Sequence, residues 1–186
     1  MTHQSFFKGI VVSFIILLTG CGGGTEPENS PNVKSSTNDS KPTIISSNIP
    51  FRKGTQVPTA VRQECALGLN LSKYIDSAAD DHDYNIQQKS ELKKAKGRVL
   101  DIEITEVYGL GGGAYSGHKS VSIQGTLKDN GNVVGSFTGK RYSGGGIWGG
   151  FKGTCSILGR CVKALGNDVA LWLENPYKDA RLGDAK

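Results

Sequence analysis

The stretch His118–Tyr142 reads HKSVSIQGTLKDNGNVVGSFTGKRY. Val121, Ile123, Gly125 and Leu127 alternate with Ser122, Gln124 and Thr126, and beyond Asn130-Gly131 the alternation resumes through Val133, Gly135 and Phe137. A period of two is the mark of a strand with one buried face. Asn-Gly between two such runs is the strongest short hairpin signal, because a type I′ turn needs positive φ at both central positions. Upstream, Arg98–Tyr108 repeats the pattern, with Leu100, Ile102 and Ile104 on one side and Asp101, Glu103 and Thr105 on the other. Three antiparallel strands in a meander follow, and their apolar face requires a cover.

Thr154–Glu174 supplies it. Ile157, Leu158, Cys161, Leu165, Val169 and Trp172 recur at spacings of three and four, the stripe of an amphipathic helix. Thr154 is placed as its N-cap, and Asn175-Pro176 stops it. A second helix is read from Leu71, Tyr74, Ile75, Ala78 and Ala79, with Asn70 as N-cap. Ahead of it, Val61, Cys65 and Leu67 fall on odd-numbered positions and read as a half-buried strand, although a helix beginning earlier would absorb them. Tyr84-Asn85-Ile86 reads as a short strand and Gln87–Lys96 as a polar connection. The expected fold is α+β: an antiparallel meander of three to five strands with two helices packed on one face. Residues 56–178 form the domain and residues 179–186 a polar tail.

The stretch Phe6–Cys21, FFKGIVVSFIILLTGC, addresses the chain. Its apolar run, Ile10–Leu18, is far shorter than the roughly 20 residues of a membrane-spanning helix and follows the positive charge of Lys8, as in a secretory signal peptide. Leu18-Thr19-Gly20-Cys21 resembles the lipobox of bacterial lipoproteins. That resemblance implies cleavage of residues 1–20, a diacylglycerol thioether on Cys21 and a further acyl chain, such as palmitate, on its amine. Two or more chains give stable anchoring, so membrane lipid is the first expected partner. Gly22, where an aspartate tends to mean inner-membrane retention in proteobacterial lipoproteins, implies sorting to the outer membrane, with the domain facing the periplasm.

Removing residues 1–20 takes away only Lys8 among the charged side chains, leaving 21 basic against 17 acidic residues. The excess is spread out, with Lys93-Lys94 and Lys140-Arg141 among its adjacent pairs, so no nucleic-acid partner is expected. Residues 22–55 are dominated by Ser, Asn, Pro, Thr and Gly, without an apolar period. With Cys21 they read as a flexible tether, 21–55, whose coil span is roughly 30–35 Å. Thr43-Ile44-Ile45 and Ile49-Pro50-Phe51 are short apolar patches within it. The order of elements, and above all Gly144–Gly166, GGGIWGGFKGTCSILGRCVKALG, resembles small domains of bacterial envelope lipoproteins of unassigned function. This resemblance brings no activity with it.

If the Asn130-Gly131 turn is the lower end of the meander, two glycine-rich segments lie at the upper end: Gly109–Gly117 and Gly144–Gly153. Tyr108, Tyr115, Tyr142, Trp148 and Phe151 lie in or beside them, with Lys152. Tyr115, Tyr142, Trp148, Phe151 and Lys152 are the candidate binding rim for a protein or a cell-wall or other glycan, the bland alternative being a bulged loop with Trp148 in the core. Neither a dinucleotide fingerprint nor a P-loop is present, and no cofactor is expected.

With Cys21 lipidated, Cys65, Cys155 and Cys161 meet an oxidising compartment. On one helix Cys155 and Cys161 would be about 9 Å apart along the axis, beyond the usual disulfide reach of about 7 Å. Cys65 therefore pairs with one of them. Cys155 is favoured because Cys161 falls on the apolar stripe; Cys65–Cys161 is the alternative. Asp80-Asp81-His82-Asp83 lacks ligand spacing and reads as a solvated helix end, with no metal expected. Asp101 and Glu103 should lie in water, and two histidines, His82 and His118, do not make a catalytic set. The expectation is a lipid-anchored, non-enzymatic envelope module for binding or assembly. The alternatives are an enzyme acting on an envelope polymer, or a structural subunit of an oligomeric envelope complex.

Overall fold

The computed structural model describes residues 41–109, 118–144 and 153–186. Its elements run β1 (Thr43–Ser46), α1 (Thr59–Glu64), α2 (Leu67–Asp80), β2 (Ile86–Lys89), β3 (Arg98–Tyr108), β4 (Lys119–Asp129), β5 (Asn132–Ser143), α3 (Thr154–Glu174) and β6 (Ala180–Gly183). The meander β3-β4-β5 is antiparallel and forms the centre of a sheet ordered β2-β1-β3-β4-β5-β6. Asn130 and Gly131, at φ 49° and 87°, make the β4–β5 turn, as an I′ turn requires.

The sheet is larger and more mixed than a meander of three to five strands. β1 pairs in parallel with both β2 and β3, and β6 pairs in parallel with β5. Thr43–Ser46, read above as tether, is thus an interior strand. Thr43 and Ile45 are fully buried. After β1 the chain leaves the ladder, sinks Ile49 into the core and returns at Phe51, which bridges Ile104. The tail is likewise recruited: Ala180 and Leu182 are buried in β6, so the polar tail of residues 179–186 contains a strand. Both edge strands are four residues long, which limits pairing with another chain's edge.

The region of Val61, Cys65 and Leu67 is helical, and three helices replace two. A spacing of four satisfies both periods, so Val61 and Cys65 sit on one helix face as readily as on one strand face. Asn70 is not a cap: α2 starts at Leu67, after Ala66 in a left-handed conformation at φ 45°. Thr154 is the first residue of α3, after Gly153, and neither supplies a side-chain cap. β2 begins at Ile86 and takes Gln87–Lys89 out of the polar connection.

α2 and α3 cover one face of the sheet. Leu71 and Ile75 of α2 and Leu158, Val162, Leu165 and Val169 of α3 join Leu100, Ile102, Ile104, Val121, Ile123 and Leu127 in one core. Phe137 lies edge-on to Trp172, with ring centroids 4.9 Å apart at 71°. Burying each such side chain contributes about 1.5–3 kcal/mol. No helix among the described residues is long and apolar enough to cross a membrane.

Candidate functional site

The site is built on the sheet face away from α2 and α3. In β3 the alternation that buries Leu100, Ile102 and Ile104 would carry Glu106 into the core. A bulge intervenes: Ile104 pairs Ile123, and the next pair is Glu106 with Ser122. The extra residue, Thr105, shifts the phase, so Glu106 turns outward while Val107 is buried. Thr55 Oγ1 donates to the Ile104 and Thr105 carbonyls at this bulge, 3.4 Å each.

Two rows result at the upper end. Tyr108 and Tyr142 flank Ser120 on the middle strand, and Glu106 and Lys140 flank Ser122. Two interstrand steps put the tyrosines about 10 Å apart. Tyr108 is 52% and Tyr142 53% exposed, while Ser120 between them is buried. In the second row the Glu106 carboxylate accepts from Lys140 Nζ at 2.9 Å and from Ser122 Oγ at 3.0 Å. Those two bonds, the Lys140 one first, hold the Glu106 carboxyl below its usual pKa, and the same bond raises that of Lys140. Lys140 Nζ also lies 5.1 Å from the Tyr142 ring centroid, a cation–π arrangement. Below, Arg52 donates to Glu103 at 3.0 Å and to Gln124. The upper face therefore offers two aromatic rings, with an ion pair locked beside one of them.

Of the rim read from the sequence, Tyr142 stands on this face; Tyr115, Trp148, Phe151 and Lys152 lie outside the described residues, as does Cys21. Two features went unread. The Glu106–Lys140 pair depends on the bulge, which strict alternation hides. Lys119 is fully buried, its Nζ 3.5 Å from the Gly109 carbonyl. Its phase, two residues before Val121, was the available signal.

The thiols hold the frame together. Cys65 and Cys155 form a disulfide with Cα atoms 4.8 Å apart, joining the end of α1 to the start of α3. Cys161 is free and buried, with Sγ 3.7 Å from the Lys119 carbonyl, and burial pushes its thiol up to about 11. Such a thiol is a poor nucleophile at neutral pH. His82 Nδ1 meets Glu174 Oε1 at 2.7 Å, tying the C-terminal ends of α2 and α3, and His118 precedes β4. Among the described residues no three His, Cys, Asp or Glu side chains gather as a metal site. Asp101 is exposed, and Glu103 is held by Arg52. Arg141, facing the helices, clamps Asp168 of α3 through two bonds of 2.7 and 2.6 Å.

No family model matches the chain, and no curated protein does. Among solved structures it is similar to the PelC dodecamer from Paraburkholderia phytofirmans, at 18% identity over 67% of this chain and 85% of that one, with a TM-score of 0.41. It is similar to protein XCC0632 from Xanthomonas campestris, of the family DUF330, at 11% identity over 71% and 83%, TM-score 0.43. A minor lipoprotein from Acinetobacter baumannii is similar at 9% identity over 70% and 91%, TM-score 0.38.

Proposed function

We propose that this chain is a lipid-anchored envelope lipoprotein whose α+β head binds or helps to assemble a partner, without catalysing a reaction. Acyl chains on Cys21 hold it at the outer membrane, on the periplasmic side. The residues between Cys21 and β1 form a tether, shorter than 21–55 because the chain enters the sheet at Thr43. The partner, a protein or a glycan, docks on the upper open face.

One observation carries this reading: two half-exposed tyrosines stand in one cross-strand row at the sheet end where both glycine-rich segments depart. Tyrosine offers a large rigid contact area at small entropic cost. Beside it Glu106 and Lys140 are already engaged with each other, a fixed polar flank. The test has two arms. Mass spectrometry of protein purified from membranes should find an acylated Cys21 at the N-terminus. A photo-crosslinking residue at His118, exposed at the same sheet end, should capture a partner that the same chain carrying Tyr108→Ser/Tyr142→Ser no longer retains. An uncleaved chain or a bare Cys21 removes the anchor, and undiminished capture by the double variant removes the face.

A further inference from the structure

At the opposite end of the same sheet lies a groove of about 900 Å³. Val99 and Asp101 of β3 and Lys128 of β4 form its floor, and Asn130-Gly131 closes one end. The connection between β2 and β3 forms its wall, contributing Ser90, Glu91, Lys93 and Lys96. That wall is braced at both ends. Ser47 N–H donates to the Lys89 carbonyl at 2.8 Å, and Asn130 N–H to the Gly97 carbonyl at 2.9 Å. Between them Ala95 N–H closes a turn on Leu92 at 2.9 Å. Size and bracing match a pre-formed small-ligand site, for which about 300–1,000 Å³ is usual.

Some charged groups of the sheet and helices meet each other: Arg52 with Glu103, Lys140 with Glu106, Arg141 with Asp168, His82 with Glu174. The groove gathers five charged groups that make no ion pair among the described residues: Lys93, Lys96, Lys128, Glu91 and Asp101. Lys128 and Asp101 sit diagonally on adjacent strands, about 7–8 Å apart by backbone geometry, and still do not close. Three ammonium groups against two carboxylates favour an anion. The two carboxylates accept hydrogen bonds only, and so suit a ligand that brings donors.

We infer that this groove binds an anionic saccharide. Its carboxylate or phosphate sits among Lys93, Lys96 and Lys128, while its ring hydroxyls donate to Asp101 and Glu91. A hydroxyl-rich anion answers both sets of groups at once. A simple polyanion answers only the lysines and is repelled by the carboxylates. The groove is remote from the Tyr108–Tyr142 row, so this inference does not depend on the reading of that face.

The test is calorimetric titration of the full chain in neutral detergent with trigalacturonate, trehalose 6-phosphate, neutral maltotriose and triglutamate. Trigalacturonate or trehalose 6-phosphate should bind, whichever does so defining the anionic substituent, and maltotriose and triglutamate should bind at least about tenfold more weakly. Lys93→Gln/Lys96→Gln/Lys128→Gln should abolish the signal while leaving the melting temperature unchanged, since all three side chains are exposed. Asp101→Asn should weaken saccharide binding if the carboxylate accepts a hydroxyl. Stronger binding by Asp101→Asn, equal binding of triglutamate or maltotriose, or no binding of either acidic sugar would each overturn the inference.

Discussion

Gly125 of β4 lies directly beneath the ring of Phe137 in β5. A Cβ built on Gly125 would come within 2.3 Å of Phe137 Cζ and 2.4 Å of Cε1. The strand accepts a residue of low β-propensity because the ring occupies the space its side chain would fill. Phe137 is fixed in turn by Trp172, which itself donates Nε1–H to the Tyr177 carbonyl at 3.3 Å. Gly125→Ala therefore forces Phe137 off Trp172. Overpacking of this kind costs about 1–3 kcal/mol, and urea denaturation should show the unfolding free energy fall by that amount, with a lower midpoint. An unchanged midpoint would mean that the ring moves without loss.

The disulfide closes a loop of 90 residues between Cys65 and Cys155. In the chain-entropy account a bridge of that span stabilises by about 4–5 kcal/mol, and native bridges commonly give about 2–5. Cys65→Ser/Cys155→Ser should lower the unfolding free energy by an amount in that range, and reductant should do the same to the parent chain. Cys161→Ala in reductant-free buffer should leave the bridge intact, verified by peptide mapping.

β1 makes a sharper prediction. A chain beginning at Lys41 retains the interior strand, whereas one beginning at Gln56 lacks Ile45 and Ile49, both almost wholly buried. Two lost isoleucines remove about 3–6 kcal/mol of burial, comparable with the whole stability of a small domain. The shorter chain should give a collapsed, poorly dispersed amide NMR spectrum and the longer one a dispersed spectrum. Equal spectra would show that β1 is dispensable.

This boundary also marks where reading the sequence ran out. The meander and α3 were legible because their patterns are long: three strands of eleven or twelve residues and a helix of 21 residues. β1 and β6 have four residues each. Two or three apolar side chains in a polar context do not separate a docked strand from a coil, and the strands are recruited by tertiary pairing alone. The site was half legible. Glycine-rich segments at the upper end of the meander pointed to that end, but the bulge at Thr105 decides that Glu106 faces Lys140. The lower groove is assembled from β1, the β2–β3 connection and the β4–β5 turn, and no local pattern links them.

The Glu106–Lys140 pair predicts a pH dependence of known sign. Glu106 has a lowered pKa in the fold. Its contribution is present above the unfolded value, about 4.3, and is lost as pH falls through the lower folded value. Lys140 is raised; its contribution is present below about 10.4 and is lost as pH rises through the higher folded value. Glu106 is 54% and Lys140 26% exposed at the side chain, so water screens the pair and its worth is under about 1 kcal/mol. Carbon-detected NMR titration should place Glu106 below an ordinary glutamate, and Lys140→Met should return it towards that value.

Cys161 supplies a clock for opening of the core. Burial holds the thiol protonated, with a pKa of about 11, and the side chain packs beneath Lys119 at the end of β4. The thiolate is the reactive form, so at pH 8 the folded chain should resist iodoacetamide. Alkylation then requires α3 to separate from the sheet, and its rate reports that local opening. Reduction of Cys65–Cys155 should open the half-buried Cys155 thiol to alkylation first, leaving the buried Cys65 and Cys161 slow. Gly125→Ala should quicken Cys161, because Phe137 and Cys161 belong to one core. Rapid labelling of all three thiols in the folded, reduced chain would place Cys161 near the surface and contradict the packing described for α3.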